Sequence, residues 1–136
     1  MEKKAYPCIY AGKKQATFGA AVVAGGVVYA SGMSGRLPST GAVRSLDPGE
    51  QTVDALEKVK NVLETAGSSL EDIVRLNIYV KYTERDREKI ENAWLDYFRK
   101  VAPGLIEEPP AVTWVGVSHL YYPDMLVEFE ATATVK

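Results

Sequence analysis

Residues 109–135, PPAVTWVGVSHLYYPDMLVEFEATATV, decide the fold, because two strands are legible in them by period-two alternation and β-branched content. Pro109 and Pro110 precede the first strand, and Pro123-Asp124 stands in the turn between the two. In the second strand Met125, Val127, Phe129, Ala131, Ala133 and Val135 fall on one face, and Leu126, Glu128, Glu130, Thr132 and Thr134 on the other. The first face reads as core. In the first strand Thr113, Val115 and Val117 share a face, whereas Val112 and Trp114 on the opposite face are too apolar for a surface that only meets water. Such a strand needs cover on both sides. In a chain of this length helices cover one side of a sheet, so a second copy of the chain is the simplest cover for the other. Glu128 and Glu130 then lie at or near a wall between subunits.

The rest of the chain supplies the helices and the remaining strands. Residues 73–82 alternate with Val74, Leu76, Ile78 and Val80 one way and Arg75, Asn77, Tyr79 and Lys81 the other, which predicts a central strand. Before it, Asp47 reads as the N-cap of a helix with Pro48 at its first position and Glu50 placed to reach back. Val53, Leu56, Val59, Leu63 and Ala66 form that helix's apolar stripe, and Gly67 ends it. After the central strand Thr83 caps a second helix whose stripe is Ile90, Ala93, Trp94, Tyr97, Phe98 and Val101, stopped at Pro103-Gly104. Residues 16–32 predict a β-hairpin turning at Gly25-Gly26, where both glycines can take positive φ. Residues 33–47, rich in Gly, Ser and Pro, read as a surface loop carrying Arg36 and Arg44. The expected architecture is α+β, in the order β-β-α-β-α-β-β, with two helices packed on one face of a mixed sheet and residues 1–136 forming one domain.

Composition narrows the function classes. At 136 residues the chain is long enough to bury an ordinary core without disulfides or metal. No apolar run reaches bilayer length and the first residues carry no secretory signal, so the expected location is cytoplasmic, with no membrane partner. The single cysteine, Cys8, fits a reducing compartment. A net charge of −2 without a basic block argues against nucleic acid as a partner. No pair of histidines or cysteines suits a usual transition-metal site, and no glycine-rich run opens a helix as nucleotide phosphates require.

Several short pieces, taken together and in order, resemble the RidA/YjgF family along nearly the whole chain. They are Tyr29-Ala30-Ser31-Gly32, Thr40-Gly41, Glu50-Gln51-Thr52 leading into Leu56 and Val59, and the run from Ala66-Gly67 through Ile73-Val74. Asn92 in the second helix and Val127-Glu128-Phe129-Glu130-Ala131 complete them. The resemblance implies a chorismate-mutase-like fold, a homotrimer, and ligand clefts at the subunit interfaces. It also implies hydrolysis of enamines and imines to keto acids and ammonia without metal or cofactor. Ser31, Gly32, Asn92 and Glu128 match the family's site. Three positions depart from it. The deaminase members carry a carboxylate-clamping arginine after the Pro-Ala step, where Pro110-Ala111 is followed here by Val112. The family's cysteine two residues on is Trp114, and the tyrosine of its first loop is Phe18. A valine offers none of the parallel charge-assisted hydrogen bonds an arginine gives a carboxylate.

Imine hydrolysis needs water delivered to an electrophilic carbon and a proton delivered to the departing nitrogen. A carboxylate in a partly dry interface does both. Glu128 is the candidate, with Glu130 second; the bland alternative is that both pair across strands or face water. Phe18, Ser31, Gly32, Asn92, Val112 and Trp114 are the expected substrate-binding residues, although Val112 and Trp114 also read as interface packing. Arg36 and Arg75 are the arginines placed to replace the lost clamp, with surface roles as the alternative. His119 reads as a strand-end surface residue, and Cys8 as a bystander near a mobile terminus. The expected activity is deamination of an enamine or imine more apolar or aromatic than 2-iminopropionate. The alternative is a trimeric small-molecule-binding or regulatory protein without turnover.

Overall fold

The structure, a computed structural model, describes residues 2–136. Its seven strands are β1 (Lys3–Tyr10), β2 (Lys13–Ala24), β3 (Val27–Ala30), β4 (Met33–Ser34), β5 (Ile73–Val80), β6 (Ala111–Gly116) and β7 (Val127–Thr134). The helices are α1 (Pro48–Thr65), α2 (Thr83–Val101) and the single turn α3 (Gly104–Glu107). The sheet runs in the order β1-β2-β3-β7-β5-β6, and the short β4 also pairs with β7. Only β5 and β6 pair in parallel, joined through α2; the other ladders are antiparallel. The expected α+β class, mixed sheet and helical layer are present, and the chain adds β1, β4 and α3.

β1 escapes pattern reading because Pro7 interrupts it. A proline cannot donate to a sheet ladder, and the β1–β2 register shifts on both sides of Pro7. The turn is made by Ala11 and Gly12, both at positive φ (50° and 75°), the geometry of a two-residue hairpin. The predicted turn at Gly25 and Gly26 has the same character, with φ of 58° and 76°. The start of α1 matches its reading, since the Asp47 carboxylate accepts from the Glu50 amide at 2.9 Å. Glu50 itself does not reach back; its carboxylate pairs with Arg44.

Helices α1 and α2 cover one face of the sheet. Leu56, Val59 and Leu63 of α1 and Ile90 and Phe98 of α2 are buried against Val28, Leu76, Ile78, Val127 and Phe129. Each such side chain contributes roughly 1.5–3 kcal/mol on burial. Two placements differ from the alternation read in the sequence. The β5–β7 register shifts between Ile73 and Arg75, so Ile73 enters the core and Val74 is left 49% exposed. In β6, Val112 pairs with Leu76 and Trp114 with Ile78, which places both on the helix side. The Trp114 ring lies 5.5 Å from that of Trp94 in α2. The apolar demand of Val112 and Trp114 is therefore met inside the chain by α2, and not by the sheet face that carries Glu128.

Among the described residues no helix lies over that opposite face. β5, β6 and β7 present Asn77, Tyr79, Thr113, Val115, Glu128 and Glu130 there, and β3 presents Tyr29 at 53% exposure.

Candidate active site

One irregularity in the sheet builds the site. Tyr29 of β3 pairs with Thr132 and Met33 of β4 with Phe129, so Ala30, Ser31 and Gly32 stand against only Ala131 and Glu130. An extra residue of this kind bends a strand and redirects its side chains. Two bonds pin the bulge to β2: the Ser31 amide donates to the Ala20 carbonyl at 2.9 Å, and Ser31 Oγ donates to the Gly19 carbonyl at 2.6 Å. Gly32 then lies directly against the Glu128 carboxylate. A β-carbon at residue 32 would stand 2.0 Å from Glu128 Oε1, so only glycine lets the carboxylate lie there.

The bulge opens onto a cavity of about 470 Å³, within the usual range for small-molecule sites. Phe18, Ser31, Gly32 and Glu128, all expected from the sequence, line it together. Glu128 is half-buried, and burial raises its carboxyl above the ordinary glutamate value. The Lys58 ammonium pulls it back down and the neighbouring Glu130 pushes it further up. Desolvation and a like charge both disfavour the ionised form. Glu130 is engaged elsewhere. Its Oε1 accepts from Asn77 Nδ2 at 2.9 Å and Tyr79 Oη at 3.1 Å, on the open sheet face and outside the cavity.

The structure adds residues that pattern reading passed over. Tyr10 and Cys8 of β1 and Tyr121 and Tyr122 of the β6–β7 loop complete the walls. Cys8 is buried in a paired strand, which corrects its expected place near a mobile terminus. Arg36 also lines the cavity, its guanidinium 3.9 Å from the Tyr122 ring centroid and its Nε donating to the Gly41 carbonyl at 2.8 Å. The tyrosine loop is tied down by Gln51, which is fully buried in α1. Its Nε2 donates to the carbonyls of Ser45 and Asp124, both at 2.8 Å, and its Oε1 accepts from the Leu126 amide at 2.9 Å. The one sequence signal for these walls was the Ala11-Gly12 turn between lysine-flanked, alternating segments.

The remaining expected site residues lie elsewhere in the chain. Asn92 is exposed on α2, and Val112 and Trp114 sit at the β6 edge of the sheet on the helix side. Arg75 lies on the open face, where its Nη1 donates to Thr113 Oγ1 at 3.1 Å. His119 is exposed in the loop after β6. Among the described residues no group of three or more His, Cys, Asp or Glu side chains is arranged to hold a metal ion.

Comparison with known proteins agrees with this architecture. The family model described as Endoribonuclease L-PSP matches residues 10–135. A RutC family protein of Pyrococcus horikoshii is 34% identical over 113 residues, covering 83% of this chain and 82% of the relative. The 3-aminoacrylate deaminase RutC of Acinetobacter baylyi is 32% identical over 115 residues, covering 85% of this chain and 84% of its own. Among solved structures, Escherichia coli TdcF with bound serine superposes with a TM-score of 0.79 at 25% identity, covering 90% of this chain and 91% of TdcF.

Proposed function

The chain belongs to the endoribonuclease L-PSP family, known also as RidA/YjgF, and from that membership we propose that it hydrolyses an enamine or imine metabolite at Glu128. The observation that carries this reading is the Glu128 carboxylate: half-buried, raised toward neutrality, and facing a small-molecule cavity. In the reaction Glu128 takes a proton from water as the water oxygen adds to the imine carbon. It returns that proton to the nitrogen, giving a carbinolamine, then takes the hydroxyl proton and passes it to the nitrogen as the C–N bond breaks, so that ammonia leaves and a carbonyl compound remains. The step balances with water alone. A relative named for deaminating 3-aminoacrylate supports the reaction class. The ribonuclease in the family's name is not carried over, since a chain of net charge −2 with no basic block is poorly suited to a phosphate backbone.

The substrate class follows from the cavity's lining and, by the family resemblance, from residue 112, which a neighbouring copy would bring to it. Val112 stands where deaminase members carry an arginine, and a missing charged hydrogen bond costs roughly 1.5–3 kcal/mol, or about tenfold to a hundredfold in binding. A substrate other than 2-iminopropionate fits better. Tyr10, Phe18, Tyr121 and Tyr122 surround Glu128, which suits an imine with an apolar or aromatic side chain, such as an amino-bearing ring-cleavage intermediate. The protein would work in the cytoplasm as a homotrimer. Its uncovered sheet face supports that assembly, as does the separation of Asn92, Val112 and Trp114 from Glu128, which a cleft between copies would bridge.

A second reading, a binding or regulatory protein without turnover, is favoured by the serine held in TdcF. The experiment that separates the two generates imines in place with an amino-acid oxidase and follows ammonia release. Catalysis predicts release faster than the spontaneous reaction, and loss of that excess in Glu128→Gln. Equal rates with and without the protein across alanine-, leucine- and phenylalanine-derived imines would leave only the binding reading.

A further inference from the structure

Lys58 is a buried cation that imine hydrolysis at Glu128 does not use. It lies in the middle of α1 and is only 8% exposed. Its Nζ donates to Tyr10 Oη at 2.8 Å, and among the described residues no carboxylate lies within ion-pairing distance of it. Burying an ammonium without a paired acid is unfavourable, and a lysine in that position moves toward its neutral, nucleophilic form. Burial brings Lys58 down to about 8; Cys8 opposes it, Arg36 adds to it, and Glu128 and Asp54 oppose it more weakly.

The amine opens onto a second cavity of about 300 Å³ between β1 and α1. Tyr6, Pro7, Ile9, Pro38 and Val62 give it apolar walls, and its polar lining comes from Lys58 and Tyr10 together with Asn61 and Thr65. Cys8, Tyr10 and Met33 line this cavity and the Glu128 cavity alike, so a thin wall separates the two. An apolar slot ending in an amine hydrogen-bonded to a phenol matches an aliphatic chain ending in a carbonyl group.

We propose that Lys58 is a carbonyl-capturing amine, and that the cavity between β1 and α1 holds a short aliphatic aldehyde or ketone through a reversible Schiff base to its Nζ. The nitrogen lone pair adds to the carbonyl carbon, and one amine proton passes by way of Tyr10 Oη to the carbonyl oxygen, giving a neutral carbinolamine. Loss of water, with Tyr10 Oη giving the departing hydroxyl a proton that solvent then restores to the phenol, leaves the protonated imine. Addition of water reverses both steps and releases the carbonyl compound unchanged, so no redox partner is involved.

The test is reductive trapping on the whole protein. Butanal with sodium cyanoborohydride at pH 7 converts the Schiff base to a stable secondary amine, which peptide mapping locates. We expect one butyl group at Lys58, added at least about tenfold faster than at the surface residues Lys13 and Lys100. Tyr10→Phe should slow it about tenfold through loss of the proton relay. Lys58→Arg, checked for folding by circular dichroism, should abolish the selective addition. Butylation of Lys58 in the wild-type protein no faster than at Lys13 and Lys100 would overturn the proposal without reference to any variant. No imine substrate is present in this measurement, so it stands or falls separately from hydrolysis at Glu128.

Discussion

Gly32 and Glu128 interlock: a β-carbon on residue 32 would stand 2.0 Å from Glu128 Oε1 and 2.8 Å from its carboxyl carbon. The bulge at Ser31-Gly32 and the carboxylate of β7 are thus one mechanical unit. Gly32→Ala is expected to displace the carboxylate by about a side-chain contact, and a shift near 1 Å at a reacting group costs on the order of a hundredfold in turnover. Ammonia release from oxidase-generated imines measures it. Unchanged rates in a folded Gly32→Ala protein would mean that the position of Glu128 is not critical.

The ionisation of Glu128 sets the acid side of the pH profile. Its folded pKa is raised by burial above the ordinary value of 4.5, so the carboxylate needed as base is lost as pH falls through a window higher than for an exposed glutamate. The same sign makes Glu128 a net cost to stability once pH rises through that window, because the native state holds the proton longer than the unfolded chain. Glu128→Gln should lower kcat/KM about 10²- to 10⁴-fold and flatten the acid limb. Full activity retained in Glu128→Gln would assign the chemistry to another group.

Gln51 is a structural tie whose loss should be felt at the site. Gln51→Leu leaves the carbonyls of Ser45 and Asp124 and the amide of Leu126 without their partner. The buried Leu126 amide left unpaired costs about 1–3 kcal/mol and the two half-buried carbonyls less, so a loss of about 3 kcal/mol overall is expected after local relaxation. Urea unfolding reads the stability, and a raised KM reads the loosened Tyr121-Tyr122 loop.

Lys58 gives stability a distinctive alkaline signature. Its folded value of about 8 lies below the ordinary 10.5, so the unfolded chain binds the extra proton between those values and the lysine's penalty shrinks as pH rises from 8 to 10. Cys8 and Tyr10, both raised by burial, slope the other way in the alkaline range, so the difference between proteins is the informative quantity. Lys58→Met should be more stable than wild type by on the order of 2–3 kcal/mol at pH 7, with the gap closing toward pH 10. Chemical unfolding at pH 7, 8.5 and 10 checks it. A constant gap would place the lowered ionisation elsewhere.

Assembly can be measured directly. The proposed homotrimer predicts a solution mass near three times 14.9 kDa by light scattering. Tyr29→Glu, on the uncovered sheet face, should drive the mass toward that of one chain and reduce ammonia release with it. A wild-type protein that stays at one chain's mass while hydrolysing imines would remove the shared cleft from the mechanism.

The alternation in residues 125–135 and the apolar stripes of α1 and α2 were legible in the sequence, because period and capping are properties of neighbouring residues. Met125, Val127, Phe129, Ala131 and Ala133 are all buried, as their common face requires. Part of the cavity was legible too. Phe18, Ser31, Gly32 and Glu128 converge, whereas Asn92, Val112 and Trp114 do not join them within the chain.

Alternation shows that β6 has two faces but not which one the helices cover. That depends on the register with β5, and pairing with Leu76 and Ile78 turned Val112 and Trp114 toward α2. In the same way a register shift exchanged Val74 for Ile73 in the core. The cavity walls at Cys8 and Tyr10, the anchoring Gln51, and the Lys58–Tyr10 pair join residues separated by 48 to 75 positions or meet across strands, where no local period reaches. Local chemistry in the sequence determined the main elements, the Asp47 cap of α1 and the candidate carboxylate, whereas Thr83 is the first residue of α2 and caps nothing with its side chain. Strand register and long-range packing, set by the free energy of burying the whole sheet under two helices, decided which side chains share water and which share a site.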